Sequence, residues 1–221
     1  MELIPSLELL AEQTVSGVAF VTAYGLTWLV CGILWRRTSA RTAAYATLFQ
    51  GMVAFPLALG GSALIGAIGQ GRPVAEEITQ LSILIGTSQL LGLPLLILFV
   101  VKRWYTLVPV AFATLTSMHF VLYSWLYRTP VYIVLAIAVA VGAVIVMATA
   151  PAAERKARDD VRPIEPATTT AGSAVDSAVG TPANTAVGIS ASSTIGAARV
   201  CILTGSLLMA SAAALGVLYA G

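Results

Sequence analysis

One histidine occurs in the chain, His119, and it falls in the stretch TLTSMHFVLYSWLY, which contains no charged residue. Imidazole is the side chain whose charge changes near neutral pH, and inside an apolar helix it needs a polar neighbour. At helical spacing it shares a face with Phe112, Thr116, Tyr123 and Leu126, so it should point into a bundle. Two roles fit: a neutral histidine hydrogen-bonded to a neighbour, which is the simpler, or a group that titrates or touches a ligand. Gln89 poses the same question on another apolar segment, where it lies on a stripe with Thr79, Ser82 and Gly86. An amide without partners in hydrocarbon costs several kcal/mol, so it should face protein or water. Gln50 is a further amide of this kind. Tyr24, Trp28, Cys31 and Trp35 recur at i, i+4, i+7 and i+11, and Tyr24 and Trp28 lie too deep for an interfacial belt. Core packing explains that stripe most simply. Gln89, His119, Tyr123, Gln50 and Trp28 are the candidate ligand-binding residues, with Gln89 and His119 expected either to bond to each other or to form two walls of one small cavity.

The chemistry that is missing narrows the classes. No apolar segment holds Asp, Glu, Lys or Arg in its interior, which argues against an ion-driven transporter of the usual kind. Gly61-Ser62, Gly86-Thr87-Ser88 and Gly205-Ser206 lack the flanking pattern of a serine nucleophile, and a single histidine cannot serve as both base and metal ligand. Gly69-Gln70-Gly71 has neither the length nor the lysine of a phosphate loop. Cys31 and Cys201 have no metal-site or secreted-disulfide spacing and are read as small apolar residues. The expectation is a protein that is not an enzyme and has no cofactor and no metal.

These residues must be positioned by helices in lipid. Of 221 residues, 58% are hydrophobic and 10% charged, with a mean hydropathy of +0.90. Soluble domains carry roughly 25% charge. The net charge of +2 gives no reason to expect a nucleic-acid partner. Apolar runs span about Ser16 to Trp35, Thr42 to Gly69, Ile78 to Val101, Trp104 to Tyr127, Pro130 to Thr149 and Ala197 to Ala220. Each can cross a hydrocarbon layer of about 30 Å as a helix, and lipid leaves backbone polar groups no other arrangement except a closed barrel. The fold class is therefore all-α, an integral membrane bundle of six transmembrane helices. Residues 1–150 form a five-helix region, 151–196 a disordered loop opening with AERKARDD, and 197–221 the sixth helix. The opening MELIPSLELLAEQ has no Lys or Arg, so the first apolar segment is read as a retained helix rather than a signal peptide.

Basic residues set the orientation. Arg36, Arg37, Arg41, Lys102, Arg103, Arg155, Lys156, Arg158, Arg162 and Arg199 fall on one side, and only Arg72 and Arg128 on the other. By the positive-inside rule the first side is cytoplasmic, both termini lie outside, and residues 151–196 are cytoplasmic, in a bacterial plasma membrane. Trp35, Trp104 and Tyr105 should mark the inner interface, and Trp125, Tyr127, Tyr132 and Tyr219 the outer one.

The second segment carries Pro56, which should kink its helix, and Ala54, Ala58, Ser62 and Gly66, a small-residue seam for close helix approach. Such seams, with the 151–196 loop, also fit a structural subunit that assembles with copies of itself or with a membrane partner, in contrast to a binding or permeation protein for a small neutral or amphipathic molecule.

Four short motifs carry a resemblance: GMVAFPLALGGSAL in the second segment, Ser88-Gln89 in the third, SMHFVLYSWLY in the fourth, and Pro130-Val131-Tyr132. Over roughly Gly17 to Val146 the chain resembles a family of small bacterial multi-pass membrane proteins classed as a domain of unknown function. Phe55-Pro56-Leu57-Ala58, Gln89, His119 and Trp125-Leu126-Tyr127 match that pattern, whereas Ser88 stands where the family has Asn, and Val121 to Tyr123 lack a proline. The resemblance implies a helical membrane fold and an inward cluster, and no activity.

Overall fold

The computed structural model describes residues 3–68, 76–161 and 183–220, and among these it contains helices and turns and no strand. The helices are α1 (Leu3–Thr14), α2 (Val18–Arg37), α3 (Ala40–Leu64), α4 (Glu76–Ser88), α5 (Leu93–Val101), α6 (Leu107–Leu126), α7 (Val131–Val161) and α8 (Ala183–Ala220). Six stretches are long and apolar enough to cross a membrane: Leu3–Arg37, Ala40–Leu64, Ile78–Val101, Leu107–Leu126, Val131–Thr149 and Thr194–Tyr219. The expected six-helix membrane bundle is thus the architecture found.

Local chemistry sets the boundaries. α2 ends at Arg36-Arg37, and α3 begins after Ser39, whose hydroxyl accepts the Thr42 amide at 3.2 Å as an N-cap. α3 then runs as one continuous helix with Pro56 inside it, and a kink there is not shown. The break in regular helix lies in the third span instead, where Gln89–Gly92 forms a 3-10 turn between α4 and α5. Pro94 follows within the first turn of α5 and cannot donate to the carbonyl four residues before it, which favours a tightened turn at this point.

α2 is the centre of the bundle, packed between α3 and α8; α7 then joins α8 to α6. The α2 and α8 backbones approach closely because glycines face each other. A Cβ on Gly205 would stand 2.9 Å from both the Gly25 carbonyl oxygen and the Leu29 nitrogen, and one on Gly32 would stand 2.6 Å from Ile202 Cγ1. Gly32 lies beside Ala198 and Ile202, and Gly25 beside Leu208 and Met209, so the two helices are antiparallel. The last span therefore sits at the heart of the packing, with Val200, Cys201, Leu208 and Leu215 buried. The third span is the least buried of the six.

Four features differ from expectation. First, a helix, α1, precedes the segment from Ser16 to Trp35 that the sequence marks as the first apolar run. Leu7 and Leu10 of α1 bury against Leu126 at the end of α6, and a left-handed turn at Val15 (φ 48°), Ser16 (φ 48°) and Gly17 (φ 77°) separates α1 from α2. Second, the seam on α3 holds Ala54, Ala58 and Ser62 but not Gly66, which lies beyond the helix end with φ 72° and is exposed. Third, Tyr132 is not an interfacial anchor: it is 1% exposed, and its hydroxyl donates to the Ser16 carbonyl. Fourth, α7 continues to Val161 and α8 begins at Ala183, so the ends of the expected loop 151–196 are helical. Ala, Glu, Lys and Arg in AERKARDD are strong helix formers and extend the fifth span. The remainder of that loop, 162–182, and most of the turn carrying Arg72, 69–75, lie outside the described residues.

Candidate functional site

The break in the third span places Gln89 against α6. Its Nε2 donates to Thr116 Oγ1 at 3.0 Å, and that hydroxyl donates to the Phe112 carbonyl at 2.8 Å. Thr116 thereby satisfies a half-buried amide that hydrocarbon could not. Gly92, one turn further along, lets the third span sit directly on Leu115, for a Cβ there would stand 2.3 Å from Leu115 Cδ1. Together these contacts fasten the middle of the third span to α6.

His119 lies one turn beyond Thr116, and it does not bond to Gln89. Its ring meets Tyr123 edge-on with centroids 5.2 Å apart, and its Nε2 has no hydrogen-bond partner among the described residues. Tyr123 leads into an aromatic cluster in which Tyr127 and Tyr132 lie 5.9 and 6.0 Å from it, with Phe120 stacked on Tyr132 at 5.9 Å. His119 therefore has an aromatic wall on one side.

Where α4 leaves the fastening, it diverges from α6. A cleft of about 320 Å³ opens there, lined by Leu81, Leu84, Ile85, Ser88, Leu122 and Trp125. Ser88 supplies the one aliphatic hydroxyl in that lining, and it is already committed to the Ile85 carbonyl at 2.8 Å. The walls are otherwise apolar. Leu84 and Trp125 are exposed, so the cleft opens sideways on the lipid-facing surface. Arg128 stands exposed just past the end of α6, its amide bonded to the Trp125 carbonyl. Neither Gln89 nor His119 lines the cleft; each is next to it, Gln89 following Ser88 in the chain and His119 one turn before Leu122.

Trp28 and Gln50 lie apart from the cleft, the Trp28 ring tilted against Phe112 of α6 at 5.6 Å and Gln50 on α3 beside Cys31 of α2. Cys31 Sγ donates to Gln50 Oε1 at 3.5 Å, and Trp35 Nε1 donates to Thr47 Oγ1 at 3.0 Å. Cys201 of α8 lies beside Cys31, and the Thr47 hydroxyl lies beside both thiols. Both cysteines are free and buried, on the neighbouring helices α2 and α8. The five candidate residues thus divide: Gln89, His119 and Tyr123 belong to the seam between the third and fourth spans, Trp28 and Gln50 to the core around α2. From sequence Thr116 stands out only as sharing the His119 face, and Thr47 and Thr204 not at all, because a threonine in an apolar helix can satisfy itself on its own backbone. Only the register between antiparallel spans reveals which of them meets a partner. Among the described residues no cluster of three or more His, Cys, Asp or Glu could hold a metal ion.

Residues 8–156 match the model of a family described as a family of unknown function (DUF7010). The match covers more than half of the chain, and the chain belongs to that family. It takes in the first five spans, while the last span, Thr194–Tyr219, lies beyond it. No curated protein and no solved structure is matched.

Proposed function

We propose that this member of a family of unknown function is a membrane binding protein for an amphipathic molecule, whose apolar tail lies in the lateral cleft between the third and fourth spans. The observation that carries the reading is that one seam is fastened at one point and open at the next. Gln89–Thr116 and Gly92–Leu115 pin the helices together, and one turn away Leu81, Leu84, Ile85, Leu122 and Trp125 line an open apolar cleft. Ligand sites run from about 300 to 1,000 Å³, and this cleft, at the small end, suits a chain rather than a ring system.

A head group would lie at the Trp125 end, with Arg128 three residues further along the chain as the nearby cation. His119 and Tyr123, in edge-on ring contact on the same helix as Leu122, would back that wall from the bundle side. The protein binds rather than catalyses in this reading, since the cleft presents no free nucleophile or base. Its orientation follows the ten basic residues on one side against two on the other, which puts the Arg36 end in the cytoplasm of a bacterial cell. The small-residue seam on α3 supports this reading over that of an assembling subunit, because Ala54, Ala58 and Ser62 are already buried inside one chain.

Native mass spectrometry of the purified chain tests the proposal. A bound lipid or fatty acid should persist at one per chain under gentle activation, and Ser88→Phe, which fills the cleft, should remove it. Equal retention by Ser88→Phe and by the parent would refute the site.

A further inference from the structure

Beyond the cleft the third and fourth spans close on each other again, and α1 lies where they do. Ile78 precedes Leu81 by three residues and Leu126 follows Leu122 by four, so each continues a lining face by one turn, toward the Gly17 end of α2. At that level Leu126 is buried with Leu7 and Leu10 of α1, and Ile78, Tyr123 and Tyr127 pack around these three. The leucines form a cluster of their own beside the main core. The seam is thus pinned at Gln89–Thr116, open from Ser88 to Leu81, and tied again under α1.

The joint that brings α1 there is strained. Val15 and Ser16 have φ 48° and Gly17 has φ 77°, three successive left-handed residues between two helices. For valine, branched at Cβ, that region is an outlier, whereas glycine enters it freely. Two tyrosines brace the bend: the Tyr132 hydroxyl donates to the Ser16 carbonyl, and a Cβ on Gly17 would stand 3.2 Å from the Tyr127 hydroxyl oxygen. Strain of this kind persists where surrounding contacts hold it. The chain is helical on both sides of the bend, over Leu3–Thr14 and Val18–Arg37, so its relaxed alternative is one straight helix. Straightening would lift Leu7 and Leu10 off Leu126. Docked leucines favour the bent form and backbone strain the straight one, which makes the joint a two-state element.

We propose that α1 is a clamp that sets the width of the cleft and so the rate at which its occupant exchanges with the bilayer, an inference that rests on the cleft being a binding site. The cleft already opens sideways, so the clamp acts on how far its walls can part. Bent, α1 ties the outer ends of α4 and α6, and a chain lying between the two ties is held. Straight, it frees the outer end of α4 to move from α6 about the Gln89–Thr116 fastening, and the chain leaves sideways.

The test is a chase in lipid nanodiscs. The full chain is loaded with a diazirine fatty acid, excess unlabelled fatty acid is added, and samples are irradiated over time to follow label on the peptides of the cleft. With Cys31 and Cys201 changed to Ala, Leu10→Cys and Leu126→Cys are joined by a short bis-thiosulfonate linker that reductant cleaves. Linking should slow the loss of label by roughly tenfold or more, since the straight form is removed, and reductant should restore the parent rate. Gly17→Ala should speed the loss by about tenfold, because a Cβ disfavours the left-handed backbone of the bent form. Equal rates in the linked, reduced and Gly17→Ala chains overturn the clamp and leave the cleft standing. Absence of label on the parent's cleft peptides before the chase overturns the cleft reading and the clamp with it. If the linked chain does not fold, an unchanged rate in Gly17→Ala is enough to overturn the clamp.

Discussion

The α2–α8 seam and the third span are built from the same kinds of residue, yet they pack in opposite ways. On α2 and α8 the glycines face a neighbour: Gly25, Gly32 and Gly205 all have atoms of the opposite helix within 3.4 Å of where a Cβ would stand. On the third span Gly86 meets nothing within 4 Å, and the helix around it is largely exposed. A glycine in a membrane helix is therefore no guide to packing by itself. What differs is whether a neighbouring helix reaches the glycine at that level, as Leu115 does Gly92 on the same third span. Gly205 opposes Gly25, whereas the stretch around Gly86 opposes Leu122 and Trp125 and leaves a cleft.

The contrast can be broken most forcefully at Gly205. Its missing Cβ would contact backbone, which cannot rotate away, so Gly205→Val should cost about 3 kcal/mol or more, at the upper end of overpacking effects. Thermal unfolding in detergent should show a large fall in Tm or loss of the folded protein. An unchanged Tm would mean that the seam is not tight.

The fastening of the third span is worth less. Gln89→Leu and Thr116→Val should each cost roughly 0.6 to 1 kcal/mol, the range of interhelical hydrogen bonds in membranes. Because both lose the same bond, the double variant should cost little more than either single one. Strict additivity would show that Gln89 and Thr116 act independently.

Gly86→Ala should be the smallest effect and of opposite sign. Open space receives the methyl group, and alanine gains up to about 1 kcal/mol of helix propensity over glycine. A marked loss of stability there would place a helix where the structure has a cleft.

Much of this architecture was legible in the residues, for identifiable reasons. Span length and the absence of interior charge are properties of single segments, and they located six helices without any knowledge of neighbours. Gln89, Gln50 and Trp28 were recognisable as inward-facing for the same reason, since an amide or indole in lipid has few alternatives. Pairing was not legible. Gln89 and His119 lie at similar depth on adjacent antiparallel spans, but a shift of one helical turn gives the amide to Thr116 and leaves His119 against Tyr123. Register of that kind depends on Gly92 meeting Leu115, a contact between two segments rather than a pattern in either. The break in the third span shows the complementary lesson. Pro94 rather than Pro56 accompanies the irregular turn, because a proline's effect depends on what can relieve the freed carbonyl. The helix α1 carries a signal of its own, with Leu3, Leu7, Leu10 and Ala11 alternating with Glu8 and Glu12 at helical spacing.

The cleft between the third and fourth spans is the centre of the functional account, and photolabelling addresses it directly. A fatty acid carrying a diazirine in its chain, irradiated with the protein in nanodiscs, should label peptides containing Leu81 to Ser88 and Leu122 to Trp125. Unlabelled fatty acid should compete, Ser88→Phe should abolish the labelling, and Ser88→Ala should preserve it. Uniform labelling of all lipid-facing helices, unaffected by competitor or by Ser88→Phe, would contradict the account.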